Sequence, residues 1–211
     1  MEEKKEEYWS RFAHSYERDG EYVAGKAVLQ KIQEILAKGS PLGKAIEFGC
    51  GTGYFTKTIA SFAANIVASD LSDEMLEISR SNLKAFRNIS IHKADCTAAP
   101  FPSERFDTVI MINLIHVIEN PFLCLKECQR ILQKGGRIIA ADLTRYGLNL
   151  YQKMKLSFRY LRCWGLPPRR GKNNMSPGDF VFLMENAGFE VVDVQLIKGG
   201  ANAIFLKAQK K

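Results

Sequence analysis

From Lys44 onward, short β-rich apolar runs alternate with amphipathic stretches of helical period. That alternation is the sequence sign of βαβ units wound around a mostly parallel sheet. The apolar runs predict strands at Ala45–Phe48, Ile66–Asp70, Ile89–His92, Thr108–Ile112 and Arg137–Asp142. Helices are expected between them at Tyr54–Ala63, Asp73–Ala85 and Phe122–Leu132. Pro121 suits a first helical turn, and Lys134-Gly135-Gly136 offers the positive φ angles that end a helix and turn the chain into a strand. After the fifth strand the alternation pauses, resumes as a helix over Ser176–Asn186, and closes on two β-rich runs, Glu190–Ile197 and Asn202–Lys207. Lys198-Gly199-Gly200-Ala201 between them reads as a hairpin, so the expected sheet is α/β and doubly wound, with seven strands of which the last two are antiparallel. Two helical patterns precede Lys44, roughly Glu3–Tyr16 and Val23–Lys38, punctuated by Gly20.

Composition narrows the class. At 46% hydrophobic and 25% charged residues the chain can bury one sizeable core, so a single domain over residues 1–211 is expected. No run approaches the roughly 18 apolar residues of a spanning helix. The mixed-charge start, Met-Glu-Glu-Lys-Lys-Glu-Glu, lacks the apolar segment of a secretory signal, and a cytoplasmic location is the expectation. Five scattered cysteines fit reduced thiols better than a disulfide framework. Cys124 and Cys128 have a spacing that binds metal or shares one helix face. No second Cys or His pair accompanies them, so the helix-face reading is favoured and no metal is expected.

The most informative segment is Glu47-Phe48-Gly49-Cys50-Gly51-Thr52-Gly53, at the carboxyl end of the first strand. Glycines there let the backbone approach a ligand closely, in the crevice where open α/β sheets bind nucleotides. Asp70 ends the second strand, 21 positions after Gly49, where a carboxylate accepts both hydroxyls of a ribose. Asp95-Cys96 follows the third strand, where an acceptor meets the exocyclic amine of an adenine. A dinucleotide fingerprint wants a third glycine where this chain has Tyr54, and the acidic Glu47 suits a ligand bearing a sulfonium and an ammonium better than a pyrophosphate. A phosphate-cradling ATPase loop is absent.

These residues, with Asp70-Leu71-Ser72-Asp73-Glu74-Met75-Leu76, Phe106-Asp107-Thr108-Val109 and Leu132-Gln133-Lys134-Gly135-Gly136, resemble the class I S-adenosylmethionine-dependent methyltransferases, in the branch of the ubiquinone and menaquinone biosynthesis enzymes. The resemblance runs from about Tyr8 to Asp142 and implies a Rossmann-like fold, an enzyme, and S-adenosylmethionine as cofactor with S-adenosylhomocysteine as product. It implies that Gly49, Cys50 and Gly51, beside Glu47, meet the methionine part. Asp70 would meet the ribose, Leu71 and Met75 the adenine surroundings, and Asp95 with Cys96 the adenine edge. Asn113 would lie beside the transferred methyl. Tyr8 to Tyr16 is similar to the family's lid helix, which makes residues 1–38 a helical lid and sets Tyr16 over the cofactor.

Methyl transfer from a sulfonium is an in-line displacement that needs alignment and exclusion of water more than a nucleophilic side chain. A base is required only if the acceptor arrives protonated, and His116, three residues past Asn113, is the candidate; the alternative is a rim histidine that shapes the pocket. Where DNA amino-methylases carry Asn/Asp-Pro-Pro-Tyr/Phe, this chain has Asn113-Leu114-Ile115-His116, which disfavours a nucleobase acceptor.

The segment 145–177 holds eight basic residues and no acid, out of a whole-chain balance of 30 minus 23, or +7. Drawn as a helix over 148–164, it places Leu150, Tyr151, Met154, Phe158 and Leu161 on one face, edged by Lys155, Arg159 and Arg162. Such a face caps a pocket, lies on an anionic membrane, or clasps an acidic substrate; otherwise it is a lid helix packed on the sheet. The expected partner is a small apolar or anionic methyl acceptor, with nucleic acid disfavoured. A nicotinamide-dependent oxidoreductase and a catalytically silent cofactor-binding protein stand as alternatives. The sequence leaves the oligomeric state open.

Overall fold

The structure, a computed structural model, describes residues 5–166 and 174–211. Its strands are β1 (Gly43–Phe48), β2 (Ala63–Asp70), β3 (Ile89–Lys93), β4 (Phe106–Ile112), β5 (Leu132–Thr144), β6 (Phe189–Ile197) and β7 (Asn202–Lys210). They form one sheet in the order β3-β2-β1-β4-β5-β7-β6. The first five strands run parallel; β7 is antiparallel to both β5 and β6, with Ala141 opposite Phe205 and Ile197 opposite Ala203. The expected doubly wound sheet with a final antiparallel hairpin is the fold observed. Chain order reverses between β1 and β4, which opens the ligand crevice at their carboxyl ends.

Strand period explains the apolar runs. Val109 and Met111 of β4 join one core, with Ile46, Phe48, Ile138 and Leu206, while Ile110 and Ile112 join the other, with Ala45, Ile139 and Phe205. Both faces are buried, so a two-residue alternation of sides reads in sequence as continuous hydrophobicity. The first core is covered by α6 (Pro121–Ile131) and α8 (Pro177–Asn186), the second by α3 (Lys26–Ala37) and α5 (Asp73–Leu83). Their starts are chemically fixed: Ser72, Asn120 and Ser176 each accept a backbone N–H of the first turn, and Pro121 and Pro177 follow the last two. Cys124 and Cys128 are fully buried in the first core, and among the described residues no group of three or more His, Cys, Asp or Glu side chains could hold a metal ion.

Several boundaries differ from expectation. The helix expected over Tyr54–Ala63 is only α4 (Thr56–Ile59) with a 3-10 turn at Ala60–Phe62, because Ala63 and Asn65 already pair with β1. Helix α6 ends at Ile131, ahead of the glycines, and Gly135 takes φ +69° inside β5. Glu3 lies outside the described residues, and the first helical pattern divides into α1 (Lys5–Ser10), a 3-10 turn at Ala13–Ser15 and α2 (Tyr16–Gly20). Gly20 interrupts nothing: the chain continues as a π turn over Glu21–Gly25, and the break comes at Gly25, φ +92°.

The insert after β5 is α7 (Leu150–Trp164), opened by a capping box in which Asn149 and Gln152 bond each other's backbone N–H. It packs against the N-terminal segment through a third cluster of Tyr8, Val23 and Trp164, with Trp9, Phe12, Tyr16, Leu156 and Tyr160 around them. Arg169, Arg170 and Lys172 of the insert lie outside the described residues. Among the described residues no helix is long and apolar enough to cross a membrane.

Candidate functional site

The loop after β1 is shaped by glycine geometry. Gly49 sits at φ +68°, and a Cβ there would lie 2.8 Å from Leu114 Cδ1, so only glycine fits without displacing that side chain. Gly51, at φ +53°, presents its open side to the Tyr16 ring and Met75 Sδ, which lie 3.8 and 3.9 Å from where a Cβ would be. Asp70 fastens the loop to the end of β2: its Oδ2 accepts the Gly51 N–H at 2.9 Å and its Oδ1 accepts the Ser72 N–H at 3.0 Å. The same Ser72 caps α5 and meets the Ser10 hydroxyl at 2.7 Å, while Thr52 donates to Glu17 at 2.7 Å. The glycine loop, the strand end and the N-terminal helices are thereby one hydrogen-bonded unit.

Above this unit lies a cavity of 1210 Å³. Tyr16, Gly49, Cys50, Gly51, Asp70, Leu71, Met75, Asp95, Cys96, Asn113 and His116 all line it. Glu47 does not line it. The parity of β1 turns its side chain to the α4 side, 1% exposed, where Thr56 Oγ1 donates to it at 2.5 Å. Asp95 stands exposed on the rim, accepting the N–H and hydroxyl of Thr97 at 2.8 and 2.7 Å. Asn113 takes φ +56°, held by its N–H to the Ala141 carbonyl at 2.7 Å, and its Oδ1 is buried with no hydrogen-bond partner. The indole N–H of Trp164, another residue that lines the cavity, is also buried without a partner.

Burial sets the protonation states. Desolvation, aided by the nearby Asp70 charge and opposed by the Thr56 hydrogen bond, raises the Glu47 carboxyl from 4.5 to about 7. Desolvation first, then Asp70 and Asp142, push the Tyr16 phenol up to about 12, so it remains a hydroxyl at neutral pH. Burial likewise raises the Cys50 thiol, which keeps it from acting as a thiolate.

His116 stands in a 3-10 turn after β4 and lines the cavity. Asp142, buried at the carboxyl end of β5, accepts its backbone N–H through Oδ2 at 3.2 Å and bonds its ring Nδ1 through Oδ1. An ionised Asp142 holds the proton on Nδ1 and leaves Nε2 as the accepting nitrogen. Asp142, Glu17, Tyr160 and Trp164 also belong to the site, beyond the residues the sequence predicts. An acid ending a strand carries no marker of its partner, whereas Leu156, Tyr160 and Trp164 at four-residue spacing were a legible second apolar stripe on α7.

Residues 46–140 match a sequence family described as a methyltransferase domain. A demethylmenaquinone methyltransferase of Tropheryma whipplei (strain Twist) is 28% identical over 145 residues, covering 68% of this chain and 58% of that protein. One from Clavibacter sepedonicus is 35% identical over 118 residues, covering 52% of this chain and 48% of that protein. The chain thus spans about half of these relatives' length. Among solved structures, a SAM-dependent methyltransferase from Thermotoga maritima superposes with a TM-score of 0.75 at 24% identity, covering 99% of this chain and 100% of that one.

Proposed function

We propose that the chain is a class I S-adenosylmethionine-dependent methyltransferase, as its match to a methyltransferase domain over residues 46–140 supports, and that it methylates a small-molecule acceptor held in the same cavity as the cofactor. The observation that carries this reading is a glycine cradle in a cavity whose lining residues include two with a buried, unpartnered polar atom, Asn113 Oδ1 and Trp164 Nε1. A buried polar atom left unpaired costs about 1–3 kcal/mol, and a bound ligand removes that cost. S-adenosylmethionine fits these donors and acceptors, and when bound it supplies a sulfonium-activated methyl carbon, to which the acceptor atom bonds as the carbon–sulfur bond breaks.

Each residue then has a task. Asp70 would accept from the ribose hydroxyls, and Asp95 and Cys96 would border the adenine. Gly49 and Gly51 would bring backbone against the amino-acid end, and Asn113 Oδ1 would accept from the ammonium. Tyr16 and Trp164 close over the cradle, and with them α7 and residues 5–38 act as one cover that excludes water. Glu47 lies too deep to touch the ligand; its contribution is to the loop beneath. Beyond the cradle the walls include Leu114, Ile118, Leu156 and Leu166, with Arg145, Lys153 and His116 among them. That mixture supports an apolar acceptor carrying an acidic hydroxyl, whose proton passes to His116 Nε2 while Asp142 steadies the ring.

The test is incubation with S-adenosylmethionine labelled on its methyl, together with demethylmenaquinone, the compound in the relatives' names, and a panel of apolar phenols. Label in the small-molecule fraction, matched one for one by S-adenosylhomocysteine, is the expected result. Label found only in protein or RNA, or in no acceptor at all, overturns the reading.

A further inference from the structure

Helix α7 has two apolar faces, and only one meets the protein. Leu156, Tyr160 and Trp164 turn inward to the cavity and the N-terminal cluster. The other face looks outward: Leu150 is 73% exposed, Tyr151 71%, Met154 63% and Phe158 63%. At about 100° per residue these four occupy one contiguous stripe along a helix of about 22 Å. Lys155 and Arg162 stand exposed along one margin of the stripe, and Arg159 beside them reaches back over the Tyr22 ring at 5.2 Å. An exposed apolar stripe of this length is costly in water and marks a docking surface.

We propose that this face docks the protein on an anionic lipid bilayer, with Tyr151, Met154 and Phe158 entering the headgroup boundary and Lys155 and Arg162 meeting lipid phosphates. Charge chooses the occupant. Lys155, Arg159 and Arg162 edge the stripe and the segment 145–177 contains no acid, so the rim is complementary to an anionic surface, while a second copy apposing this same segment brings only like charge. A basic amphipathic helix with aromatic and long aliphatic side chains on its apolar side is the type that lies in a bilayer interface. The opposite face of the same helix roofs the cavity, so docking would set the cavity's cover at the lipid surface, where an apolar acceptor is concentrated.

The full chain is sedimented with vesicles of mixed phosphatidylcholine and phosphatidylglycerol, and separately with pure phosphatidylcholine, across a salt series. Binding to the mixed vesicles, weak binding to the neutral ones and loss with salt are expected. Met154→Glu with Phe158→Glu weakens partitioning at least roughly tenfold, as does Lys155→Glu with Arg162→Glu, a surface change that leaves the apolar packing intact. Thermal melts and cofactor binding of both variants remain as in the parent. The proposal fails if the parent does not sediment with anionic vesicles, or if both variants sediment as well as it does. It fails equally if the parent is a dimer that the Met154→Glu, Phe158→Glu pair converts to a monomer, which would make a second copy the occupant. Because no turnover is read, this outcome is separate from that of the labelling test.

Discussion

Trp164 stacks on Tyr16, with ring centroids 5.9 Å apart and planes 23° from parallel, and its carbonyl accepts the Tyr8 hydroxyl at 2.7 Å. The two segments expected separately as covers, one N-terminal and one after the fifth strand, are therefore joined by an aromatic clasp. Trp164→Phe keeps most of the stacking area and removes the indole N–H. It is expected to weaken cofactor binding about tenfold, the loss of roughly one hydrogen bond, with little change in melting temperature. Trp164→Ala, which also empties the clasp, should cost about 3–5 kcal/mol of stability. Calorimetric titration and denaturant melts separate the two.

His116 and Asp142 make the second prediction. If the acceptor arrives protonated, His116→Ala should lower kcat about 10²-fold or more while cofactor affinity stays unchanged. Asp142→Asn should lower kcat less and leave the KM of the acceptor nearly constant, because it changes which ring nitrogen holds the proton rather than the pocket wall. Equal turnover in both variants would assign His116 a shaping role only.

Glu47 predicts a pH dependence of stability. Its carboxyl takes up a proton at about pH 7 in the fold and at its ordinary 4.5 in the unfolded chain. Between those values the folded state binds more protons than the unfolded one, so stability falls as pH rises through the window and is least above pH 7. The full difference is about 3 kcal/mol, at 1.36 kcal/mol per pH unit. Glu47→Gln keeps the acceptor for Thr56 and removes the titration, so it should match the parent near pH 4 and exceed it near pH 8. Urea melts at both values check this.

How much of this was legible depends on the period of each signal. Strands β1, β4 and β5 were plain because both faces of the sheet are buried and two-residue alternation becomes an unbroken apolar run. The end of the helix after the glycine loop was not, since the alanines Ala60, Ala63 and Ala64 suit either conformation and only pairing with β1 makes Ala63 a strand. Glu47 was read as a ligand neighbour from its position beside the loop, but strand parity decides where it points, and it points beneath. On α7 the period reveals the stripe through Leu150, Met154 and Phe158 but not which way it faces. A helix with a second stripe at Leu156, Tyr160 and Trp164 cannot be turned by periodicity alone, and the stripe that packs is the one with aromatic partners at Trp9 and Tyr16. Asp142 was invisible because its partner, His116, is 26 residues away in the turn after β4.

The glycine loop and Asp70, joined by the Gly51 N–H bond, are proposed to form one cradle for an adenosyl group. Isothermal titration of the purified chain with S-adenosylhomocysteine tests it directly, alongside Asp70→Ala. One site per chain in the parent and an affinity at least about 100-fold weaker in the variant, some 2.7 kcal/mol, is the expected result. No heat from the parent, or equal affinity in both proteins, would contradict it.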